Sequence, residues 1–109
     1  MDLLQLVSYF FGGALLANAV PHFVSGMMGK RFQSPFAKPP GRGLSSSTVN
    51  VFWGFFNIVV GYVLLCRFGD FGLKITADVV AFGLGILATG LFCARYFGHF
   101  HGGNTSENS

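Results

Sequence analysis

Three long apolar runs, separated by polar segments, constrain this chain more than any other feature of its sequence. They cover about residues 3–24, 48–66 and 75–97. A helix needs roughly 20 such residues to cross the hydrocarbon layer of a bilayer. Open backbone cannot face lipid, so spans of this length must be helical. The expectation is an all-α integral membrane bundle of three transmembrane helices within residues 1–98, followed by a disordered Gly-, Asn- and Ser-rich tail over 99–109. Composition agrees with this. Charged residues are 10 % of the 109, against about 25 % in an ordinary soluble domain. So few charges cannot solvate the surface of a small sphere.

The first run carries no formal charge when His22 is neutral, and Arg67 bounds the second. The third holds Asp78 near its start and Arg95 near its end. Both fit close to the membrane boundary, where a long basic side chain reaches the headgroups. Ala17-Asn18-Ala19 has the form of a signal-peptidase site. However, no Lys or Arg precedes Leu3, and cleavage would leave a basic segment as the mature N-terminus, so the run is read as a retained span. Residue 2 is Asp, not the Gly of a myristoylation motif.

The segment between the first two runs is a basic Gly/Pro-rich loop. Gly26, Gly29, Pro35, Pro39, Pro40, Gly41 and Gly43 favour turns over helix. Lys30, Arg31, Lys38 and Arg42 stand in it with no acid. These are too few and too hemmed in by apolar runs for nucleic acid; anionic lipid headgroups are the partner they fit. Met27, Met28, Phe32 and Phe36 interleave with the cations, which predicts a segment lying in the headgroup layer. The loop and Arg95 put five basic residues on one side, and the second linker puts Arg67 and Lys74 on the other. The positive-inside rule then places the N-terminus outside and the long loop and C-terminus in the cytoplasm. Residues 18–61 resemble stretches of small bacterial membrane proteins, which implies a bacterial inner membrane.

Polar residues inside the spans fall in stripes. Asn18 and His22 are four apart and share one helix face, as do Asn50, Gly54, Asn57 and Gly61, with Trp53 beside them. The first span ends, and the second begins, on the same side. Asn18, His22, Asn50, Trp53 and Asn57 are therefore expected at matching depth as a polar cluster under the basic loop. Such a cluster either fixes helix register through hydrogen bonds or forms a pocket for a polar ligand, with His22 as its titratable member. Gly54, Gly61, Gly83 and Gly90 are expected to let helices approach closely. The third span is expected to pack with one face on its own bundle and with another on a second chain.

Cys66 and Cys93 fall near opposite membrane surfaces and cannot pair within one chain. The spacing of His22, His99 and His101 defines no metal or haem site, and no metal or cofactor is expected. No nucleophile–base motif, HExxH helix or phosphate loop is present. The leading expectation is a non-enzymatic oligomeric or accessory membrane subunit that contacts lipid through its loop. A small oligomeric channel or transporter using the Asn/His cluster is the alternative, and an enzyme acting on a lipid or quinone headgroup a third.

Overall fold

The computed structural model describes residues 2–103 and is mostly helical. Helix α1 spans Leu3–Met27, α2 spans Ser47–Tyr62, and α3 spans Thr76–His101. A π-helical segment, Val63–Phe68, continues α2. All three helices are long and apolar enough to cross a membrane. With the π segment counted in the second, each span is longer than the apolar run that announced it. In particular, His99 and His101 belong to α3, not to a tail. The remainder of the expected tail, residues 104–109, lies outside the described residues.

Local chemistry sets the helix ends. The Asp2 carboxylate caps α1 by accepting from the Leu4 amide, and the Ser46 hydroxyl caps α2 by accepting from the Val49 amide. At the other end of α1, the Lys30 amide donates to the Ser25 carbonyl and the Gly29 amide to the Gly26 carbonyl. With Gly29 at φ +75°, this is a Schellman stop. The π register has an identifiable cause. The Leu64 carbonyl accepts from the Ser8 hydroxyl at 2.6 Å and from the Gly69 amide five residues on. A side chain of α1 thus engages the carbonyl where the helix widens.

Helix α1 is the middle of a layer. It packs along both α2 and α3, while those two share little contact among the described residues. The molecule measures 42 × 32 × 22 Å, so its thin dimension is about two helix diameters. Backbones touch at small residues. A Cβ on Gly54 would press on Phe23, and one on Gly26 would overlap Ser47 and Val51. On the α3 side, a Cβ on Gly13 would overlap the Phe82 carbonyl and one on Gly85 the Phe10 carbonyl. Gly61 abuts Leu16 and Gly12. Gly83 and Gly90 differ from these: a Cβ on either meets nothing within 4 Å. The α1–α3 seam runs through Gly85, and those two glycines lie on the open face.

Burial is inverted relative to a water-soluble domain. Ser8, His22, Asn50, Asn57 and Asp78 are buried, whereas Phe11, Val20, Phe52, Phe55, Leu84, Leu87 and Leu91 are exposed. In water this would expose far more apolar surface than a soluble monomer tolerates. In lipid it is the expected order, because polar groups must find partners inside the protein.

The basic loop is folded onto one end of the layer. Phe32–Gln33 (β1) and Leu44–Ser45 (β2) pair antiparallel, with Phe32 opposite Ser45. Sequence patterning carried no hint of this short ladder. Ser34 and Ser45 join their hydroxyls beneath it, both buried. Met27, Met28 and Phe36 remain exposed, as do Lys30, Arg31, Lys38 and Arg42.

Candidate functional site

The five residues of the expected polar cluster do come together, at the capped end of the α1–α2 seam. Asn18 donates from Nδ2 to Asn57 Oδ1 at 3.1 Å, and Asn57 Nδ2 donates to the Trp53 carbonyl at 2.8 Å. One turn nearer the cap, His22 Nδ1 lies 2.9 Å from Asn50 Oδ1. Asn50 is 0 % exposed, and its Nδ2 has the carbonyls of Phe32, Ser45 and Ser46 within 3.3 Å. Those acceptors fix the orientation of the Asn50 amide, so its oxygen must accept from His22. Nδ1 therefore carries a proton.

Asn50 is thus the junction between helix and cap. Its amide holds both strands of the loop, and its oxygen holds α1 through His22. The His22 ring is 3 % exposed. It meets Phe32, Trp53 and Phe97 edge to face, with centroids 5.5, 6.3 and 5.5 Å away.

Helix α3 supplies a third wall that its sequence did not announce. Cys93 approaches the Asn18 oxygen at 3.7 Å. The Tyr96 hydroxyl donates to the Gly41 carbonyl at 2.6 Å. His101 Nε2 is 2.8 Å from Gln33 Oε1, and its ring stacks on Phe32 at 5.1 Å. The only sequence signal for this wall was the recurrence of Phe92, Tyr96 and Phe100 at intervals of four on one helix face.

A cavity of about 150 Å³ lies where the three walls meet, lined by Asn18, His22, Gln33, Ser34, Trp53, Tyr96 and their neighbours. Among the described residues, the indole Nε1 of Trp53 is buried without a hydrogen-bond partner. Phe32 stands between His22 and His101, and no three His, Cys, Asp or Glu side chains group as a metal site requires among the described residues. Both cysteines are free, Cys66 exposed and Cys93 buried.

The opposite end of the layer is chemically different. Asp2, Asp70 and Asp78 line one cavity there with Gln5 and Tyr9. Asp78 accepts from the Gly72 amide, and the Tyr9 hydroxyl accepts from the Asp70 amide. Asp78 is in the first turn of α3, where the helix dipole favours an anion.

The lipid-facing residues expected from sequence do not gather at one point. Lys30 follows the α1 stop, whereas Arg42 faces α3 across a cleft lined also by Phe92, Arg95, Tyr96, His99 and Phe100. Comparison with protein-family models, curated proteins and solved structures found no match to the chain.

Proposed function

We propose that this chain is a multi-pass protein of the bacterial inner membrane that works as a non-enzymatic subunit, assembling with copies of itself or with a larger membrane complex. The observation that supports it most is the open outer face of α3. Helix α3 has α1 on one side, and its other side presents Gly83 and Gly90 with open space above them. Small residues on an exposed apolar face let a partner helix come close, where dispersion contacts favour association in lipid. The polar groups at the capped end are mostly spent on holding the cap, which fits a structural role better than catalysis.

A channel through one chain has less support. Between the Asn18–Asn57 pair and Ser8, the α1–α2 seam is closed by Gly12, Leu16, Gly61 and Leu65. The proposed orientation has the N-terminus outside and the cap cytoplasmic. It draws on the basic loop at one end and the three aspartates at the other.

Purification in mild detergent followed by native mass spectrometry tests the assembly. The expected result is a discrete oligomer or a stoichiometric second subunit. A lone chain at every detergent concentration that preserves the fold would overturn the reading.

A further inference from the structure

The cleft between the cap and the end of α3 is built differently from the rest of the basic surface. Its floor is a helical stripe. Phe92, Tyr96 and Phe100 recur every four residues, with Phe92 stacked on Tyr96 at 5.6 Å and Tyr96 edge-on to Phe100 at 5.4 Å. Arg95 and His99 follow the same stripe one position earlier, and Arg42 closes the cleft from the loop. The volume enclosed is about 470 Å³.

Arg42 is not on a loose tether. The Gly41 carbonyl before it accepts from Tyr96, and the Gly41 amide donates to the Ser34 carbonyl at 2.7 Å. The Arg42 amide itself donates to the Pro39 carbonyl. Its backbone is therefore pinned to α3 on one side and to the buried Ser34–Ser45 pair on the other. Lys30 is held elsewhere: its amide donates to the Ser25 carbonyl in the stop of α1, and it does not line the cleft.

We infer that this cleft is a binding site for one anionic glycerophospholipid of the membrane in which the chain sits. The inference rests on the membrane reading above and adds the site and the ligand class. Two guanidinium groups from different elements fit a phosphodiester, because each presents paired N–H donors to two phosphate oxygens. The aromatic floor then takes the acyl chain. Phe92 lies eight residues before Phe100, about 12 Å along the helix, so the stripe runs from headgroup depth into the hydrocarbon. A polar ligand without a tail would leave that floor uncovered, and a zwitterionic lipid would bring a cation of its own beside the two arginines.

The test uses the full chain in nanodiscs containing equal phosphatidylglycerol and phosphatidylcholine. Native mass spectrometry reads the lipids retained during stepwise delipidation. One phosphatidylglycerol per chain should outlast all phosphatidylcholine. Arg42→Gln and Arg95→Gln should each weaken that retention about tenfold, the loss of a charge-assisted contact. Lys74→Gln, at the opposite end, should not. Tyr96→Phe, which frees Gly41 without changing charge, should weaken retention too.

Equal retention of both lipids would overturn the site. So would a Lys30→Gln loss as large as that of Arg42→Gln, since this would mean diffuse attraction by the whole basic end. If the chain instead left the lipid phase altogether, the membrane reading would fall, and the site with it. The chain stoichiometry in the same spectra reports on the subunit proposal independently.

Discussion

His22 on α1 and Asn50 on α2 are joined by a hydrogen bond of 2.9 Å between residues 28 apart in sequence, and Asn50 carries the two strands of the loop on its remaining amide donors. The cap and the α1–α2 seam are therefore not separate features. A loop with little regular structure is held because one buried amide is satisfied on every side. In a setting without water, an unsatisfied amide costs more than it does at an aqueous surface.

Asn50→Leu should consequently do more damage than loss of one hydrogen bond. It leaves His22 Nδ1 and the carbonyls of Phe32 and Ser45 without that partner, whereas the Ser46 carbonyl keeps the backbone amide of residue 50. A destabilisation of about 1–3 kcal/mol is expected, together with a newly protease-sensitive loop around Lys38. Thermal unfolding in detergent and limited proteolysis measure the two effects. A stable variant with a resistant loop would show that the cap is held by its aromatic contacts instead.

The glycines of α3 separate packing within the chain from packing between chains. Gly85→Leu drives a side chain into the Phe10 carbonyl, so it should destabilise the single chain. Gly83→Leu and Gly90→Leu enter open space and should leave the monomer fold intact while weakening assembly. Thermal stability and oligomer mass, measured on all three, distinguish the cases. An unchanged oligomer in both outer variants would place the partner elsewhere.

What could be read in the sequence was what depends on one helix at a time. Length and apolarity located the helices, and four-residue spacing put Asn18 with His22 and Asn50 with Asn57. Which face turns inward was harder. Gly83 and Gly85 are both glycine in the same apolar helix, and only the position of α1 in the middle of the layer selects Gly85 as the contact. The π segment escaped notice because the side chain that engages its carbonyl, Ser8, lies 56 residues away. The fold of the loop escaped for a similar reason. Its short strands are held by Asn50 and His101, and the turn between them by Tyr96, all outside it.

Orientation can be checked with single cysteines in a Cys66→Ala, Cys93→Ala background. A probe at Asp70, exposed in the second linker, should react with an impermeant reagent from the periplasmic side. A probe at Lys38 should react only after the membrane is opened. Lys38 suits the purpose because it is exposed, whereas Ser45 in the same loop is buried. The reverse pattern would invert the topology.

Replacement of His22 separates the hydrogen bond it donates from the ring it presents. His22→Phe keeps an aromatic ring among Phe32, Trp53 and Phe97 but leaves Asn50 Oδ1 without a donor in a buried site. His22→Asn removes most of the ring yet places an amide N–H near the position of Nδ1. If the bond to Asn50 is what matters, His22→Asn should hold the cap, whereas His22→Phe should lose about 1–3 kcal/mol. If ring packing dominates, the order reverses, because the Asn variant leaves a void beside the 150 Å³ cavity. The geometry favours the first order. Asn50 is 0 % exposed and reaches no other donor to its oxygen among its described hydrogen bonds, while aromatic edges around the ring can close in on a smaller side chain. Melting temperatures of the two variants in the same detergent decide between them, and a Phe variant as stable as the parent would show that the Asn50 oxygen finds its partner elsewhere.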